Sequence, residues 1–260
     1  MIDLNINIEN IKENVDVPLH IEYKDVTTST NEDVKALLND GYEGNIVVIA
    51  AEQKSGRGRI GHSFSSPKGG IYLSLNVDAK SISKDSISLL TPIAAIATNR
   101  AIKIATGKDT DIKWINDLYK DGKKICGILA EANVEYGEIK SVIIGIGIDY
   151  AIDLKDVDEE YQGLVGSLYE YANKKEGANE LIIALINNIY CLINNLPDIS
   201  FLEEYRAKCI TIGKEISFYL NNEKRYAKAK NVLDNGKLEV EENGKCYALN
   251  AGEVSIVRNK

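Results

Sequence analysis

The sequence predicts an α+β protein, a mixed β-sheet carrying packed helices followed by a small C-terminal β-barrel. Three observations point there. Apolar runs at 46–51 and 71–77 read as strands separated by a glycine-rich loop. Residues 84–106 are an almost unbroken series of Ile, Leu and Ala closed by Gly107, a helix whose apolar character requires burial against a sheet. From Gly213 onward the texture changes to five short alternating strands, at 215–220, 225–233, 237–241, 245–249 and 253–257, which suggest a small barrel. That change divides the chain into a domain over 1–211 and a second over 212–260.

The remaining elements follow in order. Residues 20–26 form the first strand, ending in Thr27-Thr28-Ser29-Thr30-Asn31. A helix comes next, with Thr30 as N-cap, Asp33 at the capping-box distance, apolar Val34, Leu37 and Leu38, and Gly41 as its stop. Residues 111–114 read as a short strand, and 124–134 with 139–148 as a hairpin around Glu135-Tyr136-Gly137-Glu138. An acidic loop spans 153–160. Helical spacing returns at 180–194 and 201–208.

Composition narrows the function classes. A formal net charge of −8 argues against broad nonspecific nucleic-acid binding and leaves room for a local basic site. The cysteines Cys126, Cys191, Cys209 and Cys246 show neither a CxxC pair nor metal-type spacing, which reads as reduced thiols. The acidic, amide-rich stretch 1–14 lacks the basic and apolar regions of a signal peptide, and no apolar run reaches membrane-spanning length. The expectation is a cytoplasmic protein.

Chemistry concentrates in three places. The first is Gln53-Lys54-Ser55-Gly56-Arg57-Gly58-Arg59-Ile60-Gly61, where arginine forks suited to phosphate or carboxylate sit among glycines that let backbone approach a ligand closely. It matches G-x-G-x-x-G, but His62 to Gly70 carries proline and paired glycines where a dinucleotide-binding helix would start, so strand-loop-strand is the better reading. The second is Lys113-Trp114-Ile115-Asn116-Asp117 with Lys124 and Gly127. On its own it also reads as a charged hairpin turn, although Lys124 opens an otherwise apolar strand where a charge needs an anionic partner. The third is Gly145-Ile146-Gly147-Ile148-Asp149. Alternating strand glycines suggest close approach by another backbone or a flat ligand, or equally tight packing under the long helix.

Ser29-Thr30-Asn31, Gln53 with Gly56-Arg57-Gly58-Arg59-x-Gly61, Lys113-Trp114-x-Asn116-Asp117, Lys124 with Gly127, and Gly145-x-Gly147 appear in an order and spacing that closely resembles the biotin–protein ligases, also called biotin–[acetyl-CoA-carboxylase] ligases. The resemblance runs from about Leu19 to the C-terminus and includes Gly252-Glu253-Val254-Ser255. It implies a class II synthetase-like catalytic domain with an SH3-like barrel. It further implies activation of biotin by ATP and magnesium to biotinyl-5′-AMP, then transfer to a lysine of a biotin carboxyl carrier domain.

Carried over by position, the resemblance assigns Ser29, Thr30, Asn31, Gln53, Gly56, Arg57, Lys124, Gly127 and Gly145 to biotin. It assigns Arg57, Gly58, Arg59, Gly61, Lys113, Trp114, Asn116, Asp117, Lys124, Gly147 and Asp149 to ATP or the adenylate, and Lys124, Arg57 and Arg59 to catalysis. No dedicated metal cage is expected; magnesium rests mainly on phosphates, with Asp117 as its protein contact. A homodimer through a sheet edge is implied, and no membrane contact is expected. The short stretch ahead of position 20 gives the expectation of a form without the N-terminal DNA-binding domain, and so of no direct operator binding.

Three positions depart from the family pattern. Ile115 stands where proline is usual, Asp149 where asparagine is usual, and His62-Ser63-Phe64 where a basic residue and tryptophan are common. Two other readings stay open: a lipoate or octanoate ligase of the same superfamily, and a non-catalytic biotin- or adenylate-binding regulatory module.

Overall fold

The computed structural model describes residues 4–78, 82–136, 138–171, 177–220, 223–250 and 254–257. In chain order the main elements are α1 (Ile8–Asn14), β1 (His20–Lys24), α2 (Thr30–Asn39), β2 (Ile46–Ala50), β3 (Ile71–Val77), α3 (Leu90–Thr106), β4 (Asp111–Lys113), β5 (Asp117–Lys120), β6 (Lys123–Glu135) and β7 (Glu138–Ile148). They continue with α4 (Ala178–Asn194), α5 (Phe201–Lys208), β8 (Glu215–Leu220), β9 (Glu223–Val232), β10 (Leu238–Glu242), β11 (Lys245–Leu249) and β12 (Ser255–Ile256). Gly137, Gly252 and Glu253 lie outside the described residues.

Seven strands form a mixed sheet in the order β1-β2-β3-β7-β6-β5-β4, parallel only between β1 and β2. Because side chains alternate across a strand, each strand feeds two faces. Val47, Ile49, Leu73, Leu75, Ile144, Ile146 and Ile148 point to the main core with Ile93 and Ile96 of α3 and Leu181 and Leu185 of α4. Ile46, Val48 and Ile143 belong to a second cluster, where Val34 of α2 covers them. Beyond α2 that second face becomes the floor of a cavity.

The sequence reading differs from the structure at several points. The amide-rich N-terminus forms α1, which the sequence reading missed because the helix is too short to show a period. Asn7 caps it by accepting from the Asn10 N–H, Ile11 is fully buried, and the Asn7 N–H is held by Asn179 of α4 at 2.8 Å. The helix expected from Lys84 begins as a 3₁₀ turn, Lys84–Leu89, and becomes α-helical at Leu90. Pro92 falls in the first turn of α3, where its missing N–H breaks no helical hydrogen bond. The stretch Lys84–Thr106 does satisfy the length and apolarity needed to cross a membrane, contrary to the sequence expectation, yet 67% of its apolar window is buried within this fold. The charged segment after Trp114 contains the unforeseen strand β5, paired with both β4 and β6.

A second sheet, antiparallel throughout in the order β11-β10-β9-β8-β12, is compatible with the small barrel expected. Trp114 ties the two sheets together. Its backbone N–H donates to Thr211 Oγ1 and its indole N–H to the carbonyl of buried Gly236, each at 3.0 Å. Trp114→Phe keeps most of the ring volume but leaves the Gly236 carbonyl without this donor. An unsatisfied buried acceptor costs about 1–3 kcal/mol, so the urea midpoint followed by far-UV circular dichroism should fall accordingly.

Candidate active site

A cavity of about 440 Å³ opens above the glycine face of β6 and β7. It gathers Ser29, Thr30, Asn31, Gln53, Arg57, Gly58, Arg59, Lys113, Trp114, Asn116, Asp117, Lys124, Gly127, Gly145 and Gly147 from segments far apart in the chain. Val254 and Ser255, at the end of the chain's second sheet, complete the rim. Three expected site residues do not line it. Gly56 and Gly61 sit in the loop above, and Asp149 is buried beside the floor.

The loop between β2 and β3 is a folded-back ribbon. Gln53 pairs with Ser66 and Arg57 with Ser63 as isolated bridges, and Arg59–Gly61 makes a single 3₁₀ turn. Within it, Gly58 N–H donates to the His62 carbonyl and Phe64 N–H to the Gly56 carbonyl, while the Lys54 and Ser55 N–H groups reach out to the carbonyls of Thr27 and Thr28. No dinucleotide-type helix starts here. Gly56 is required by space, since a Cβ there would lie 2.3 Å from the Phe64 carbonyl oxygen. Gly61 turns the chain at φ +77° with open space around it.

At one end, hydroxyls and amides form a continuous network. Thr30 N–H donates to Gln53 Oε1 at 2.9 Å, and Gln53 Nε2 donates to Ser66 Oγ at 2.9 Å. Thr30 Oγ1 lies 2.6 Å from Ser74 Oγ, which in turn donates to Asn31 Oδ1. These duties explain why Thr30 is not the N-cap of α2. Ser29 takes that position without a side-chain cap, and Asp33 pairs instead with Lys24 and Thr27. Neutral hydroxyl and amide groups suit a polar, uncharged ring that both donates and accepts.

The glycines make the floor. A Cβ on Gly145 would come 2.1 Å from Asn31 Oδ1, and one on Gly147 would come 2.4 Å from the Phe64 ring. Gly127 stands opposite Gly147 in the β6–β7 register and is also covered by Phe64, at 2.8 Å from a hypothetical Cβ. The close approach is therefore made by side chains on the cavity side, not by the long helix. Phe64 and Ser74 escape the motif-based site. The paired glycines were the signal for Phe64, but nothing local says which ring lies on them.

Cations mark the other end. Lys124 Nζ is 2.8 Å from Asp117 Oδ1 and 5.6 Å from the Phe64 ring centre. Burial pulls the Lys124 pKa down, but the Asp117 carboxylate outweighs it and holds the ammonium above its ordinary value. Lys124 is the one partner that buried Asp117 Oδ1 has among the described residues. Arg59 donates to Asn116 Oδ1 at 3.4 Å, and the Asn116 amide donates to the Ile128 carbonyl. Arg57 pairs with Glu32 at 2.8 Å.

Among the described residues no three His, Cys, Asp or Glu side chains cluster as a metal site. A single carboxylate, Asp117, whose Oδ1 has Lys124 beside it, next to the Asn116 amide fits a magnesium ion carried mainly by phosphates.

Comparison with known proteins places this geometry. A model of the biotin/lipoate A/B protein ligase family matches residues 23–149. The Bacillus subtilis bifunctional ligase/repressor BirA is 33% identical over 243 residues, spanning 91% of this chain and 74% of the relative. The chain belongs to the biotin/lipoate A/B protein ligase family. The Mycobacterium tuberculosis biotin–[acetyl-CoA-carboxylase] ligase is 26% identical over 238 residues, spanning 89% of this chain and 87% of that one. The biotin protein ligase of Aquifex aeolicus in complex with biotin and ATP superposes with a TM-score of 0.74 at 23% identity, covering 92% of this chain and 99% of that one. The Leishmania major enzyme in complex with biotinyl-5-AMP gives 0.64 at 21% identity, covering 90% and 100%. These two structures share the biotin/lipoate ligase fold seen here.

Asp149 offers a test of the floor in this family member. It is 2% exposed, and burial pushes its carboxyl well above the ordinary 3.8, against the opposing pull of Lys124. A carboxyl raised on folding is most favourable below its unfolded value and loses stability as pH climbs toward the raised one. Asp149→Asn removes that loss. The variant's stability relative to the parent should rise as pH increases above about 4 and level off beyond the raised pKa, measured as urea midpoints across pH; a constant difference would contradict it.

Proposed function

We propose that the chain is an ATP-dependent biotin–protein ligase. It activates biotin to biotinyl-5′-AMP and transfers biotin to a lysine of a biotin carboxyl carrier domain, the activity of a biotin–[acetyl-CoA-carboxylase] ligase. The observation that carries the reading is the polarity of one cavity: neutral hydroxyls and amides at one end, and Lys124, Arg59 and Lys113 around Asn116 and Asp117 at the other, with Arg57 on the rim against Glu32. Biotin has the matching polarity, a neutral ureido ring and a carboxylate tail.

In the first step the biotin carboxylate attacks the α-phosphorus of ATP and pyrophosphate leaves. In the second, the acceptor lysine amine attacks the mixed-anhydride carbonyl and AMP leaves. Ser29, Thr30 and Gln53 hold the ring. Lys124, charged at neutral pH, faces the carboxylate and α-phosphate, where a preorganised cation stabilises developing charge by about 3 kcal/mol. Arg57 and Arg59 exchange Glu32 and Asn116 for anionic ligand groups as the loop closes, excluding water from the hydrolysable anhydride. Asp117, with Asn116, would hold magnesium, which neutralises phosphate charge when bound. The division near Ile212 gives this site a catalytic body and a second domain that lends Val254 and Ser255 to its rim.

Incubation with biotin, magnesium, ATP and a biotin carboxyl carrier domain should give acceptor biotinylation detectable with streptavidin. Chelating the magnesium should abolish it, and Lys124→Ala should lower it by about a hundred- to a thousandfold. Lipoylation in place of biotinylation, or ligand binding without transfer, would overturn the reading.

A further inference from the structure

The hydroxyls of the head-group end are joined to a residue outside the cavity, and counting their protons fixes what they offer a ligand. Glu131 of β6 lies behind Asn31 and does not line the cavity. Lys35 holds one of its oxygens, Oε1, at 3.2 Å, while Oε2 accepts from Asn31 Nδ2 at 2.7 Å. A carboxylate only accepts, so Asn31 must turn its amide nitrogen to Glu131 and its oxygen to Ser74. Ser74 then spends its single proton on Asn31 Oδ1. The 2.6 Å contact between Ser74 and Thr30 therefore needs the Thr30 proton.

That leaves the Thr30 hydroxyl without a proton for anything else. Gln53 Oε1, already supplied by the Thr30 backbone N–H at 2.9 Å, lies 3.1 Å from Thr30 Oγ1 as a second and longer acceptor for the same hydroxyl proton. That proton stays within the protein whether Ser74 or Gln53 takes it, and Gln53 Nε2 is committed toward Ser66. Thr30 Oγ1 consequently meets the cavity as an acceptor. Thr30, Asn31 and Ser74 are all at most 4% exposed, so bulk water does not rearrange the series.

We infer that Glu131 is a positioning residue that sets the hydrogen-bond direction of the head-group site, making Thr30 a receptor for a ligand N–H. The inference rests on the biotin reading, since a ureido ring carries such N–H groups. It also makes Glu131 a specificity determinant. The dithiolane of lipoate and the alkyl end of octanoate have no N–H to give, and a site with a fixed acceptor gains nothing from them. An amide at position 131 both donates and accepts, so it permits Asn31 to flip and the series to reverse.

Calorimetric titration with biotin, together with steady-state kinetics of acceptor biotinylation by the full chain, tests this. Glu131→Gln should weaken biotin binding about tenfold and raise the KM for biotin in parallel, with the KM for ATP and the kcat at saturating biotin held within about twofold. Glu131→Asp, still acceptor-only, should recover most of the affinity. Ser74→Ala should weaken biotin binding similarly, and the double variant no further than either single one, because both interrupt one series. Unchanged biotin affinity in Glu131→Gln, multiplicative losses in the double variant, or an equal loss toward ATP would each overturn the inference. Failure of the unaltered protein to bind biotin would instead overturn the biotin reading, and this inference with it.

Discussion

The register that sets Gly127 opposite Gly147 across β6 and β7 is the constraint on which the site depends. Two neighbouring positions without side chains, Gly127 and Gly147, create a depression in one face of the sheet. The Phe64 ring lies in that depression, and the loop carrying Arg57 and Arg59 is anchored through it. Slipping the pairing by one residue would present isoleucines to the cavity and glycines to α3, exchanging a binding floor for a defective core. The same alternation that buries Ile144, Ile146 and Ile148 beneath the helices therefore keeps the opposite face low enough to admit a ligand.

Above this floor, the cavity cations of this acidic chain are matched rather than bare. Lys124 faces Asp117, Arg57 faces Glu32, and Arg59 meets an amide oxygen. Matching lowers the cost of keeping charge in a partly buried site. It also makes anion recognition an exchange of partners, which selects for ligands whose charges are better placed than the resident carboxylates.

Periodicity and turn chemistry made much of the fold legible. The pattern of β3, the length of α5 and the glycine stop after α3 come from local signals that tertiary contacts reinforce. What stayed hidden depended on distant partners. α1 owes its order to α4, and β5 is too short and charged to announce itself between β4 and β6. Ser and Thr ahead of a helix usually cap it, yet Gln53 and Ser74 claim Thr30 first. The motif residues converge on one cavity, while Phe64, Ser74 and Glu131 enter through contacts that no spacing in the sequence encodes.

Trp114 carries a practical consequence. It is the chain's single tryptophan, and it lines the cavity while its indole N–H is bonded across the seam to Gly236. Indole emission from this protein therefore has one source, in a position where ligand occupancy and the fit of the two sheets both alter its surroundings. The molecule contains its own optical probe, with no label to introduce and no second indole to subtract.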